Sequence, residues 1–509
     1  MTVMILLEKL FVAAVCFAVK AFGGLKPERR YRWRPITAAT GADEEEEDAG
    51  LSGGSAAEAF PVVLVQIPMY NEREVYKLSI GAACALEWPS DRLVIQVLDD
   101  STDPVVKDLV EIECQRWKGK GVNIKYEVRG NRKGYKAGAL KEGLKHNYVQ
   151  ECEYIAMFDA DFQPESDFLL RTVPFLVHNS DIALVQTRWK FVNSDACLLT
   201  RFQEMSLDYH FKFEQEAGSV VYSFFGFNGT AGVWRISAID HAGGWKDRTT
   251  VEDMDLAVRT ALQGWKFVYV GDVKVRSELP STFKAYRFQQ HRWSCGPANL
   301  FKKMMKVSFW SKIHLLYDFF FVGKIAAHTV TFIYYCFAIP VSVFFPEIQI
   351  PLWGMVYVPT VITLCKALGS PSSFHLVILW VLFENVMSLH RIKAAITGLL
   401  DAGRVNEWVV TEKLGDANKT KSATDGLDVV KVIDVDLTTP LVPKLKKRRI
   451  RFWDKYNCSE IFVGTYIIIC GFYDVLYADK GYYIYLFIQG LAFLVVGFEY
   501  IGTRPPSAE

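Results

Sequence analysis

Asp159 and Asp161 close an apolar run at residues 154–163, YIAMFDADFQ, with one small residue between them. In an extended strand, residues i and i+2 point the same way. Both carboxylates therefore leave the strand end on one side, where open α/β sheets bind ligands. Two hard oxygen ligands there suit Mg2+ or Mn2+, a metal that keeps waters and takes further ligands from phosphate oxygens. That makes the pair a candidate site for a phosphate-bearing substrate. A strand followed by an Asx turn explains the same letters, so the pair needs support from elsewhere in the chain.

Three other stretches supply it. Asp99 and Asp100 end the run LVIQVLDDSTD at 93–103, where nucleoside contacts are expected. Lys136, in the Gly-bearing cationic loop NRKGYKAG, and Arg292 suit the charge that develops on a diphosphate, Arg by bidentate contact. Asp253, beside Glu252 and Asp255 at a helix start, is the candidate general base, although acidic residues in a first turn also simply offset the helix dipole. The Arg292–Trp293 pair can equally be a packed surface stripe. Glycosyl transfer from a nucleotide sugar needs a metal and cations for the leaving diphosphate, a nucleoside pocket, and a base for the acceptor hydroxyl. One base on the face opposite the leaving group means inversion, from an α-linked donor to a β-glycosidic product.

The elements that must position these residues alternate. FPVVLVQIP from residue 60, LVIQVLDD from 93, VNIKYEV from 122 and the run at 154 read as strands, each followed by a helical pattern, which gives a doubly wound α/β sheet. A further strand follows at ALVQTRWKF, then a long helix, the segment FFGFNGTAGVWR, and the helix at Asp253. Residues 281–300 form an amphipathic helix carrying Gln289, Arg292 and Trp293.

Around this region the composition changes. Half of the residues are hydrophobic although 23% are charged, which fits a polar domain joined to membrane spans. Residues 1–24 are apolar but broken by Glu8, Lys9 and Lys20, so an interfacial or partial membrane helix is expected. Residues 25–59 hold a basic aromatic segment, 26–34, of the kind found at a lipid headgroup surface, and a disordered acidic and Gly-Ser linker. Beyond the catalytic region, 60–300, uncharged runs at 325–345 and 348–365 read as spans, and 374–400, with Glu384, His390, Arg391 and Lys393, as a partly interfacial helix. A polar loop with a basic cluster occupies 401–457, and two spans complete 458–500. The positive-inside rule puts both basic clusters in the cytosol. A net charge of +1 gives no reason to expect nucleic acid, and ten scattered cysteines without a CxxC pair indicate neither a zinc ribbon nor a disulfide scaffold.

Taken in order, Asp99-Asp100, Asp159-Ala160-Asp161, Val251-Glu252-Asp253 and Gln289-Gln290-His291-Arg292-Trp293 resemble the motifs of family 2 processive β-glycosyltransferases, the cellulose synthase superfamily. The resemblance covers about 60–300 and implies a GT-A-type catalytic domain followed by a helical transmembrane domain. It implies Asp253 as catalytic base and Asp100 as a catalytic motif carboxylate. Asp159 and Asp161 are implied as metal and substrate ligands, and Asp99, Lys136, Gln289, Arg292 and Trp293 as substrate contacts, with Trp293 stacked on a sugar face. FFGFNGT looks like the family's acceptor-binding segment. QQHRWSCGPANLF and VNEWVVTEKLGD look most like the plant cellulose synthase-like A group, the glucomannan 4-β-mannosyltransferases. That implies GDP-mannose and GDP-glucose as donors, a growing β-1,4-glycan as acceptor, contact with membrane lipid, and a multi-pass place in the Golgi membrane; a homo-oligomer is left open. The alternatives are the sister C group, which makes a β-1,4-glucan, a sugar-nucleotide-forming nucleotidyltransferase, and a non-catalytic membrane scaffold. The nucleotidyltransferase would want a Gly-rich phosphate loop after the first strand, where VQIPMYNERE stands instead.

Overall fold

The computed structural model describes residues 2–23, 26–36, 60–304, 325–400 and 456–503. The acidic linker and the basic cluster at 444–451 lie outside them.

Seven strands form one sheet: β1 (Val63–Met69), β2 (Leu93–Asp99), β3 (Ile124–Val128), β4 (Tyr154–Met157), β5 (Ile182–Phe191), β6 (Gly232–Arg235) and β7 (Lys266–Ser277), in the order β3-β2-β1-β4-β6-β5-β7. The strands that read as continuous β-branched runs are covered on both faces. Val63, Val65 and Ile67 of β1 join Ile95 and Val97 in one core, while Leu64 joins Val94, Leu98 and Ile155 in the other. Helices α2 (Tyr76–Cys84), α3 (Pro104–Lys118), α4 (Tyr135–Gly143) and α5 (Phe168–His178) complete the alternation. The Ser-Thr-Asp-Pro start of α3 behaves as its letters predict: the Asp103 side chain accepts from Val105 N at 2.9 Å and Pro104 takes the first turn.

The sheet is not wholly parallel. β6 runs antiparallel to β4 and β5 and sits between them, a strand too short to be read from GVWR alone. It follows helix α6 (Leu198–Tyr209), a widened π turn over His210–Gln215, helix α7 (Glu216–Tyr222) and the FFGFNGT loop, so its place in the sheet brings that loop to the C-terminal end of β4. After it come α8 (Ile236–His241), α9 (Glu252–Ala261) and, beyond β7, α10 (Phe283–Met304). β1 lies between β2 and β4, the switch point at whose carboxyl end such sheets bind ligands.

Thr2–Ala21, expected as an interfacial or partial membrane helix, is one continuous helix, long and apolar enough by length and composition to cross a membrane. Lys9 does not break it because it turns inward, buried 3.1 Å from Glu8 and 2.9 Å from Glu214. Pro371–Leu400 is likewise long enough to span. Three of its polar residues meet protein partners: Arg391 pairs with Glu384 at 2.6 Å, and His390 Nε2 meets the Arg287 carbonyl at 3.0 Å. Cys458–Ala478 is the third such helix among the described residues, whereas Ala327–Ser342 and Tyr483–Gly497 are shorter. The run expected to span at 348–365 is helical only from Trp353 to Ala367. Phe202, Phe283 and Tyr286 of α6 and α10 pack against Trp380, Phe383, Ile467 and Phe493, joining the sheet domain to these helices.

The basic segment at 26–34, expected at a headgroup surface, docks on the sheet domain. Lys26 Nζ lies 3.2 Å from Asp272 Oδ2, Arg30 donates to the Val220 carbonyl, and the backbone of Arg32 exchanges two hydrogen bonds with the Asn179 amide, at 3.1 and 2.8 Å.

Candidate active site

One cavity opens at the carboxyl ends of β1, β2 and β4. Asp100, Lys136, Asp159, Asp161 and Asp253 line it, and α10 contributes Gln289, Arg292 and Trp293. Those three share one helical face because they lie three and four residues apart. Five stretches distant in sequence thus converge.

Lys136 is the centre of charge. Its ammonium pairs with Asp159 and donates to the Gly229 carbonyl at 2.8 Å. Burial opposes its charge, but the carboxylates of Asp159, Glu252 and Asp253 hold its pKa above the ordinary lysine value. Asp159 is fixed from behind as well, its backbone N–H donating to Thr230 Oγ1 at 2.9 Å.

Asp253 opens α9, with Met254 N–H donating to its Oδ1 at 2.7 Å. Burial pushes its carboxyl up, and nearby Asp159 adds to the shift while Lys136 and the Met254 N–H oppose it. Glu252, only 4% exposed, is raised by burial and then by Asp253. A carboxylate whose pKa is lifted toward neutrality is a better proton acceptor at cellular pH than an ordinary aspartate. Across from them, burial lowers the pKa of Arg292 while Glu252, Asp159 and Asp253 work against that shift. The helix-dipole explanation of Asp253 does not account for a side chain facing Lys136 and Gly229 in a cavity.

Gly229 makes that approach possible. Its φ is +78°, and a Cβ on it would stand 3.0 Å from Asp253 Oδ2 and 3.5 Å from Lys136 Nζ. Gly229→Ala is therefore expected to combine backbone strain of about 1–2 kcal/mol with displacement of the Asp253 carboxylate. Transfer should fall roughly tenfold or more with little change in melting temperature; a variant at wild-type rate would show that the approach is unimportant.

One residue departs from its expected place. Asp99 does not line the cavity: it is buried, accepting from Tyr126 Oη at 2.8 Å and from Ser101 N at 2.8 Å, because the alternation of β2 turns it away from its neighbour. A substrate contact for Asp99 is accordingly corrected to a structural anchor at the strand end. Asp100 does line the cavity, but both of its oxygens engage Arg129, with Nε at 2.7 Å, and Arg129 also donates to the carbonyls of Lys133 and Tyr135 at 3.1 and 3.0 Å. Its carboxylate thereby ties down the loop that carries Lys136. Arg129 carries no signal in the sequence, and Gly229 and Thr230 enter it only as part of the FFGFNGT segment. Only the glycine between two polar residues after an aromatic run gave a signal.

Among the described residues no group of three or more His, Cys, Asp or Glu side chains stands ready for a metal. Asp159 and Asp161 still fit a divalent cation of the Mg2+ or Mn2+ type, which takes one or two carboxylates and completes its shell with phosphate oxygens and water. The same cavity presents the cations Arg132, Lys136 and Arg292 to an incoming diphosphate.

A second cavity shares Trp189, Asn228, Asp253, Gln289 and Trp293 with the first and continues to Glu384 and Arg391 of the 371–400 helix. A polymer end lying in it would meet Asp253 at one end and helices of membrane length at the other.

Two family models match the chain: glycosyl transferase family 2 over residues 64–231, and glycosyl transferase family group 2 over 154–382. Probable glucomannan 4-beta-mannosyltransferase 11 of Oryza sativa subsp. japonica is 84% identical over 99% of this chain and 90% of that protein. Glucomannan 4-beta-mannosyltransferase 1 of the same organism is 60% identical over 100% and 93%. Among solved structures, the mannosyltransferase PcManGT from Pyrobaculum calidifontis in complex with GDP-Man and Mn2+ matches 78% of this chain and all of that one, with 17% identity and a TM-score of 0.47.

Proposed function

The chain belongs to glycosyltransferase family 2 and within it to the glucomannan 4-β-mannosyltransferases, and from that premise we propose that it extends a β-1,4-linked mannan or glucomannan backbone from GDP-mannose and GDP-glucose. The observation that carries this reading is the meeting of Asp253, Lys136 and Asp159 around Gly229 at the carboxyl end of the sheet. Residues 60–300 form the catalytic unit in this reading, and a multi-pass place in the Golgi membrane accompanies it.

The nucleoside lies over the ends of β1 and β2. The diphosphate reaches toward Asp159 and Asp161, which would hold Mg2+ or Mn2+; the metal, when bound, neutralises the leaving group. Lys136 and Arg292 supply the remaining positive charge. Asp253 takes the proton from the acceptor hydroxyl as that oxygen bonds to the anomeric carbon from the side opposite the diphosphate. The carbon–oxygen bond to phosphate breaks, its electron pair leaves with GDP, and the configuration inverts. Trp293 grips a sugar face, and the second cavity keeps the chain bound between additions, so synthesis is processive.

Membranes containing the chain, supplied separately with GDP-mannose, GDP-glucose and UDP-glucose, test the donor. Label is expected in a β-1,4-linked product from the GDP sugars, and to be lost when the divalent metal is chelated. Incorporation from UDP-glucose alone would assign the chain to the glucan synthases instead.

The pH profile tests the base. Because burial raises Asp253 and Glu252, activity should fall with acidification through a limb well above the ordinary carboxylate value of about 4. Glu252, raised by burial and by Asp253 to about 8 against about 6 for Asp253, keeps its proton through that limb, so Glu252→Gln should leave the limb in place. A limb in the ordinary carboxylate range for the wild type would contradict Asp253 as the titrating base.

A further inference from the structure

We propose that His210, Glu214 and Gln215 form a positioning relay that fixes the Asn228 amide beside the acceptor, and that Lys9 of the first helix is its outer member. The N-terminal helix is then part of the acceptor site and not only an anchor. The inference rests on the glycosyl-transfer reading above.

The relay is built by the π turn after α6. In regular α spacing Glu214 lies beneath His210; the wider turn brings Gln215 to the same side. Lys9 Nζ sits 2.9 Å from Glu214 Oε1, and Glu214 Oε2 lies 3.0 Å from His210 Nδ1. His210 Nε2 lies 3.0 Å from Asn228 Oδ1, and Gln215 Nε2 donates to Asn228 Oδ1 at 3.2 Å and to the Gly226 carbonyl at 3.0 Å. His210 thus faces the Glu214 carboxylate at Nδ1 and the Asn228 amide at Nε2, with Gln215 Nε2 3.1 Å from the same Nε2.

The consequence falls on Asn228. Its oxygen accepts from Gln215 Nε2 and lies 3.0 Å from His210 Nε2, so the amide is held from two sides. Its Nδ2 is buried and finds no acceptor among the described residues, although Asn228 lines both cavities and precedes Gly229. A buried amide donor left without a partner is costly, and here it stands where a sugar hydroxyl would arrive. The outer end is equally fixed. Val12 and Cys16 pack against Tyr209 and Phe213, and Lys9 lies over the Tyr209 ring at 5.0 Å, so the first helix presents its one buried lysine to this turn. The expectation of an N-terminal segment merely resting at a lipid surface leaves that contact unexplained.

The test is a binding titration on the full chain in nanodiscs, read by tryptophan fluorescence, since Trp189 and Trp293 line the shared wall. The probes are β-1,4-mannohexaose, cellohexaose and, separately, GDP. Asn228→Asp and Glu214→Gln should weaken oligosaccharide binding roughly tenfold, the loss of one hydrogen bond made to a fixed donor, with GDP affinity unchanged. His210→Gln, which still presents an N–H, should recover most of what His210→Ala loses. Lys9→Met should weaken the oligosaccharide in the same sense. The proposal is overturned if Asn228→Asp and Glu214→Gln bind oligosaccharide as the wild type does, if GDP weakens in parallel, or if the wild type binds neither oligosaccharide. Wild-type affinity in Lys9→Met removes the first helix from the relay. Binding of cellohexaose without mannohexaose would overturn the mannan reading and leave the relay standing.

Discussion

Asp253→Asn is expected to lower polymer synthesis by roughly 10²–10⁴-fold, the range that a positioned general base contributes, while the chain still binds GDP and folds normally. The substitution keeps shape and the hydrogen bond from Met254 N–H, which reaches Oδ1 at 2.7 Å. It removes only the capacity to take a proton. Folding should not suffer, because burial already disfavours the charged form of this carboxyl, and a neutral amide costs less to bury. Two measurements on purified protein decide the matter: label incorporated per minute and GDP affinity. Undiminished synthesis would remove Asp253 from the role of base, and loss of GDP binding would make it a donor contact.

Lys136→Met should be the more damaging change, because it acts on structure and chemistry together. The ammonium stands among Asp159, Glu252 and Asp253 and bonds the Gly229 carbonyl at 2.8 Å. Removing one partner of a buried ion pair leaves the other charges uncompensated. Asp159 is about one-third exposed in its side chain, so water screens part of that penalty and a loss of about 2 kcal/mol is expected. The carboxylates would respond by holding protons more tightly. That leaves Asp253 protonated over a wider pH range, so turnover should fall at least 10²-fold on the order expected for a lost base, with the acid limb displaced to higher pH. Lys136→Arg restores the charge but not the compact reach to Gly229 and Asp159, so it should recover melting temperature better than turnover. A Lys136→Met chain within threefold of wild-type turnover, against a principle-based expectation of roughly 100-fold, would sink this account of the site.

The doubly wound core, the helix start at Asp103 and the motif carboxylates Asp159, Asp161 and Asp253 were legible in the sequence. Each is a local pattern: continuous apolar runs, a cap before a proline, and acidic residues at strand or helix ends. The places of Asp99 and Asp100 were not. Adjacent residues of one strand face opposite ways, and which of them reaches the cavity depends on Tyr126 of β3 and on Arg129 beyond it. The charged residues of the first helix misled for a related reason. A lysine in an apolar run reads as a barrier to burial until its partner is known, and Glu214 lies 205 residues away.

By itself the sequence determined which side chains could do chemistry here and that they stand at the ends of regular elements, because hydrophobic period and capping are written in neighbouring letters. Only the tertiary structure decided which of them face one another. The antiparallel insertion of β6 carries Gly229 between Lys136 and Asp253, and the packing of α10 closes the site from a further side. Those contacts join residues tens to hundreds of positions apart, and their geometry is set by how layers pack, for which no short stretch of sequence carries the information.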